Sequence, residues 1–188
     1  MMKIFVIAAL TLASASVFAS GFKEFKHGMT KEAVLERTTG RDCETSSVCL
    51  LHKPKVEQTL FGFPVSDMTM YFDGESLDSK LIEISVSVDK SQREFNQVAV
   101  RALGKPMEFK SRSLVGSNLV VYVWKMKDGS FTSTTWDENH IDGVPSRTIT
   151  GGARLFKSAS LRYSNQERGL QRLKSLSKEA GKENTKDF

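Results

Sequence analysis

Between Ile82 and Val88 every second residue is a branched aliphatic, namely Ile82, Ile84, Val86 and Val88, and the residues between them are Glu83, Ser85 and Ser87. Side chains alternate across a strand, so this pattern is met by a strand with one greasy and one polar face, as in an antiparallel sheet covered on one side. Met68, Met70 and Phe72 repeat the pattern around Thr69 and Tyr71, and Asp73-Gly74 offers a turn after them.

The period then changes to that of a helix. Ser91-Gln92-Arg93-Glu94 reads as a capping box, Phe95, Val98, Ala99 and Ala102 form one apolar stripe, and Gly104 and Pro106 end the segment. Strands resume from Leu119 to Met126, turn at Asp128-Gly129 and continue from Phe131 to Trp136. A polar loop covers Asp137 to Ser146, and a last strand runs near Ala153, Leu155, Ala159, Leu161 and Tyr163. Upstream, Thr30 caps a first helix through Lys31, Glu32, Ala33, Val34 and Leu35, with Met29 as a staple on Val34 and Gly40 as the stop. After Ser164 the chain is polar, and Leu170, Leu173 and Leu176 offer at most a weak helix.

The order helix, strands, helix, strands predicts an α+β fold with helices packed on antiparallel sheet, rather than alternating βαβ units. Two tandem helix-plus-strands units, 22–89 and 90–163, are an option from their similar plan, although the halves share no residue string.

The N-terminus has the three parts that export requires. Lys3 is followed by an apolar run from Ile4 to Leu12 and by the small-residue site Val17-Phe18-Ala19 before Ser20. The run is interrupted by Thr11, Ser14 and Ser16 and falls short of the roughly 20 residues of a membrane span. The expectation is a Sec-type signal peptide over 1–19, a domain over 20–163, and a basic tail or helix over 164–188. No cysteine follows the cleavage site to carry a lipid, so the expected location is the periplasm or the medium. The chain is not expected to span a membrane.

Cys43 and Cys49 are the only cysteines. An oxidising compartment closes them into one short disulfide loop worth about 2 kcal/mol, whereas their spacing matches no usual zinc site and His52 does not complete one. From Arg154 to Phe188 there are nine Lys or Arg against four Asp or Glu, while Ser20 to Ala153 holds seventeen against eighteen. The basic excess therefore belongs to the C-terminal end, either as a solvated helix or as a contact for anionic lipid or polymer. Nucleic acid is not an expected partner, because no aromatic residue follows Tyr163 until Phe188.

The segment Phe22-Lys23-Glu24-Phe25-Lys26-His27-Gly28-Met29-Thr30-Lys31-Glu32-Ala33-Val34 resembles the opening of small envelope proteins grouped with the BamE (SmpA-like) outer-membrane-assembly lipoproteins and the β-lactamase inhibitor proteins. The second half adds a helix ending in Gly-Lys-Pro, a Trp-bearing strand, an Asp-Gly turn and a final Ser-Leu-Arg-Tyr strand. The resemblance implies helices on antiparallel strands, sometimes in two copies, and a protein-binding scaffold rather than an enzyme. The lipid-anchor cysteine of the assembly lipoproteins is missing here.

His27, His52 and His140 are scattered, and no nucleophile elbow, zinc-protease helix, phosphate-cradling glycine loop or dinucleotide fingerprint is present. The expectation is therefore no catalytic residue, no cofactor and no metal site. The polar run Asp137-Glu138-Asn139-His140-Ile141-Asp142-Gly143 lacks the spacing of an EF-hand loop and reads as a solvated hairpin. On the strand from Leu119 to Met126 both faces are apolar, so one face needs a cover beyond the helices, from the C-terminal segment, a curled sheet or a partner. The aromatics Tyr71, Tyr122, Trp124 and Trp136 are the candidate partner-binding residues, placed on one sheet face and its neighbouring loop. The leading expectation is a soluble binding protein for another envelope or secreted protein, as an inhibitor or immunity-type factor. Next come an envelope module using the basic C-terminal segment on anionic lipid or cell-wall polymer, and an unrecognised hydrolase.

Overall fold

The alternation at 68–72 and 82–88 becomes the hairpin on which one continuous antiparallel sheet is built. A computed structural model of the chain describes residues 21–39, 47–51, 53–54, 57–112, 118–137, 146–147, 153–154 and 159–183. Its main elements are α1 (Lys31–Leu35), β1 (Val48–Leu51), β2 (Thr59–Leu60), β3 (Phe63–Phe72), β4 (Leu81–Val88), α2 (Gln92–Leu103), β5 (Met107–Arg112), β6 (Asn118–Lys125), β7 (Phe131–Asp137), β8 (Ala159–Ser164) and α3 (Gln166–Glu183). The fold is α+β. Strand order in the sheet is β1-β3-β4-β8-β7-β6-β5, with β2 on the start of β3. The last strand thus lies between β4 and β7 and joins the two meanders.

The two well-marked helices start where their caps predict. Thr30 Oγ1 accepts from the Ala33 amide at 3.3 Å, and Ser91 Oγ accepts from the Glu94 amide at 3.2 Å. Glu94 turns its own carboxylate to Lys90 Nζ at 3.5 Å. The first helix ends at Leu35, well before Gly40, because Thr38 Oγ1 takes the Val34 carbonyl and Thr38–Thr39 then pairs with Lys53–Pro54. β-Branched threonines favour that extended pairing. The β3–β4 connection is also longer than an Asp-Gly turn. Asp73 Oδ1 accepts from the Lys80 amide at 2.7 Å, and the fully buried Lys31 donates from Nζ to the Glu75 carbonyl at 2.8 Å.

The inward stripe of α2 is rotated from the expected one, with Phe95, Asn96 and Ala99 buried and Ala102 exposed. Asn96 can face inward because β7 is polar on that side: Gln92 Nε2 donates to Asn96 Oδ1 at 3.1 Å and to Thr134 Oγ1 at 2.9 Å. Buried polar groups survive when they find such partners. The helix stops at Gly104, whose φ of 84° suits glycine, and the Gly104 carbonyl accepts from Trp124 Nε1 at 2.8 Å.

The core lies on both sides of the sheet. On one face Met68, Met70, Leu81, Ile84, Val86, Leu161, Tyr163 and Trp124 pack with Val34 of α1, Phe95 of α2 and the N-terminal hairpin residues Phe22 and Phe25. On the other, Val121, Val123 and Phe131 meet Leu176, with Phe109 and Leu173 at the margin. The two apolar faces of β6 are therefore covered by helices on opposite sides. The polar C-terminal segment is a full helix of 18 residues, stronger than its sequence suggests. Asn165 Oδ1 accepts from the Arg168 amide at 2.9 Å, which supplies a cap. Leu170 points outward, 43% exposed, and Gly169 takes the inward place: a Cβ there would lie 2.2 Å from Phe131 Cδ2. Glycine lets the helix axis come close to the sheet.

Candidate functional site

The second face of the sheet is apolar only under α3. Toward β4 and β3 the register aligns Phe131 with Ser164, Ser164 with Glu83, and Glu83 with Tyr71. Two residues along each strand, Arg162 aligns with Ser85 and Ser85 with Thr69. These residues form a polar floor, and α3 rises beside it as a wall.

Glu83 is at the centre of the floor and only 1% exposed. A buried carboxylate needs partners, and it has three. Ser164 Oγ donates to Oε2 at 2.8 Å, Arg162 brings a guanidinium nitrogen to 3.5 Å from Oε1, and Arg168 brings Nε to 3.8 Å from Oε2. Arg172 stands one helical turn after Arg168. Its guanidinium is held below the ordinary arginine value by burial, then by the charges of Arg162 and Arg168, against which Glu83 and Tyr71 act. Together Glu83, Arg162, Arg168, Gln171, Arg172 and Ser175 line a cleft of about 280 Å³. Three guanidiniums around one carboxylate leave a local surplus of positive charge, so the cleft is suited to an anion.

A second cleft of about 420 Å³ is lined by Phe63, Pro64, Val65, Ser66, Asp89 and Lys90. Lys90 Nζ lies 5.1 Å from the Phe63 ring centroid, within cation–π range. Its opposite charges leave no comparable surplus. Among the described residues no group of three His, Cys, Asp or Glu side chains is placed to hold a metal ion. The Glu138–Gly143 part of the polar run, His52 and His140 lie outside those residues. His27 lies on the opposite face of the sheet from this cleft, with Nε2 3.1 Å from the Tyr163 carbonyl, and burial lowers its pKa.

Of the aromatics singled out from the sequence, Trp124 and Tyr71 lie on opposite faces of the sheet. Trp124 registers with Thr132, Thr132 with Tyr163, Tyr163 with Ile84 and Ile84 with Met70, the row of the α2 face. Tyr71 is one residue out of that row and so on the opposite face, in line with Glu83. Trp124 is 4% exposed, and its indole nitrogen donates to the Gly104 carbonyl, so it packs the end of α2 onto the sheet. Tyr122 is half-buried beside it, ring centroids 6.2 Å apart. The Trp136 side chain, Cys43 and the Cys49 side chain lie outside the described residues.

What the sequence reading missed is the arginine set. Arg168 and Arg172 at i and i+4 share one helix face, a signal that was there to read. Arg162 and Glu83 carried none, since each looks like one more polar residue on the open face of a strand. No helix of the described residues is long and apolar enough to cross a membrane. No family model matches the chain, nor does any curated protein or solved structure.

Proposed function

We propose that this chain is an exported, non-enzymatic binding module that engages an anionic component of the cell envelope, a lipid headgroup or wall polymer, through α3 and the corner it makes with the sheet. The observation that carries the reading is the cleft in which Arg162, Arg168 and Arg172 surround a single carboxylate. Lys174 and Lys178, exposed one turn apart on α3, extend the positive surface beyond it. Export is supported by the charged, apolar and small-residue order before Ser20. A non-catalytic role is supported by the cleft's contents, because Glu83 is tied to Ser164 and, among the described residues, no imidazole, thiol or second carboxylate lines the cleft beside it.

The test is co-sedimentation with phosphatidylglycerol vesicles and with an acidic wall polymer over a range of salt. Retention at low salt should fall as salt rises, and Arg168→Glu with Lys174→Glu should abolish it. Absence of retention, or retention that ignores the double reversal, would overturn the reading. Removal of α3 is a poor probe, because Leu173 and Leu176 would leave Val121, Val123 and Phe131 uncovered.

A second reading, recognition of another envelope or secreted protein as an inhibitor or immunity-type factor, is favoured by Tyr71. It is half-buried and aligned with Glu83 at the edge of the arginine cleft's floor. Tyrosine is a residue type that dominates interface energy. Tyr71→Ala should then weaken capture of a protein partner and leave vesicle binding intact. The BamE-like and β-lactamase-inhibitor-like layout of tandem units belongs to this reading. Its support is a pair of three-stranded meanders, β1-β3-β4 and β5-β6-β7, each preceded by a helix. A Cys43–Cys49 disulfide belongs with export, and non-reducing peptide mapping tests it.

A further inference from the structure

The geometry points to the cleft between α3 and the β4–β8 floor as a subsite for a phosphomonoester dianion, held by the guanidiniums of Arg162, Arg168 and Arg172. This inference rests on the anionic-target reading above and narrows it to one chemical group.

Charge comes first. Three guanidiniums and the Glu83 carboxylate leave two positive charges in a cleft of about 280 Å³. A single carboxylate ligand would leave one of them uncompensated. A phosphate monoester carries about 1.5 to 2 negative charges at pH 7 and three acceptor oxygens, which matches the surplus.

Hydrogen-bonding capacity comes second. Each guanidinium offers five N–H donors in a planar fork that fits phosphate oxygens in pairs. Arg162 and Arg168 stand 3.5 and 3.8 Å from Glu83, outside the 2.7–2.9 Å range of a charge-assisted hydrogen bond. Arg172 has no ion pair among the described residues. The forks are therefore held near Glu83 without being used up by it.

Pre-organisation comes third. Glu83 is fixed by Ser164 at the floor, and Arg168 and Arg172 sit on a helix pinned by Gly169 against Phe131. Three like charges have been gathered before any ligand arrives, so binding does not have to assemble them. Burial and the two neighbouring arginines already weaken the proton affinity of Arg172, a strain that a dianion relieves.

The test is a titration of the isotopically labelled protein with inorganic phosphate and, at equal ionic strength, with acetate, following the arginine Nε–H signals. Phosphate should shift them saturably, with acetate weaker by about tenfold or more. Arg168→Gln and Arg172→Gln should each weaken phosphate by about tenfold, with thermal midpoints reported beside them. Arg168 is the half-exposed member, so its variant keeps the test open if Arg172→Gln fails to fold. Unsaturable phosphate shifts, equal acetate affinity, or phosphate binding unchanged in a folded Arg168→Gln would overturn the subsite. A second arm separates the sources of the group. Preference for phosphatidic acid vesicles over phosphatidylglycerol vesicles of equal charge places the phosphate on a lipid, whereas phosphate binding with no retention by vesicles or wall polymer overturns the envelope reading and leaves the subsite to a soluble phosphomonoester. If phosphate fails to bind while phosphatidylglycerol still retains the protein, the subsite falls and the anionic-target reading stands.

Discussion

Trp124 shows how one residue can carry opposite meanings before and after folding. In the sequence it is an aromatic on a strand with two apolar faces; in the fold its indole bridges β6 to the end of α2 through Gly104. Truncation to alanine should therefore cost roughly 3 to 5 kcal/mol of stability, the range for deleting a buried aromatic. Urea unfolding of Trp124→Ala with an unchanged midpoint would return the residue to the surface. Gly169 behaves in the reverse way, since a methyl at that position would collide with the Phe131 ring. Gly169→Ala gains helix propensity on an isolated helix, yet here it should destabilise by about 1 to 3 kcal/mol through overpacking. A rise in thermal midpoint would show that α3 sits farther from the sheet. Ser91→Ala should cost about 1 kcal/mol by freeing the Glu94 amide, read as a lowered urea midpoint.

At the scale of elements, strands β3 and β4 and helix α2 were legible because period and caps are local signals. Three features were not. Which face of α2 turns inward depends on the polar side of β7, where Thr134 lies 42 residues after Gln92, so the Asn96 stripe could not be read from α2 alone. That α3 forms at full length depends on Val121, Val123 and Phe131, an apolar surface that the polar helix does not advertise. The arginine cleft depends on β8 bringing Arg162 beside Glu83, and pairing between distant strands leaves no trace in either one. The N-terminal hairpin joins the sheet through a contact that pH should weaken. Burial lowers the His27 pKa from 6.5, outweighing the hydrogen bond to the Tyr163 carbonyl and the charges of Asp128 and Glu83, which raise it. Between the lowered folded value and 6.5 the unfolded chain holds more protons, so stability rises with pH there. The His27 contribution is complete above 6.5 and is lost as pH falls through the folded value. The thermal midpoint should accordingly drop between about pH 7.5 and about pH 5 by more in the natural protein than in His27→Gln. Equal drops would locate the acid sensitivity elsewhere.

For the molecule as a whole, the decisive fact is that β8 closes the sheet from the inside. In sequence the two meanders, each with its helix, read as two units of similar plan. Their separation is opposed by β8, which pairs with β4 through six aligned residues from Ala159 to Ser164 and with β7 through Phe131, Thr132 and Ser133. Leu161 and Tyr163 of β8 also pack with Ile84 and Val86 of the first meander and with Trp124 of the second in one cluster. A fragment over residues 20–105 would keep α1, β1 to β4 and α2, yet would lose the strand beside β4 and the packing of Ala159, Leu161, Tyr163 and Trp124 in its core. It would present β4 as a bare hydrophobic edge, which favours aggregation over folding. The whole protein should then unfold in one transition, with tryptophan fluorescence and far-ultraviolet circular dichroism following the same curve in urea. The fragment should show no cooperative transition of its own. If it does unfold cooperatively, or if the two probes separate in the whole protein, the halves are independent units and β8 only bridges them.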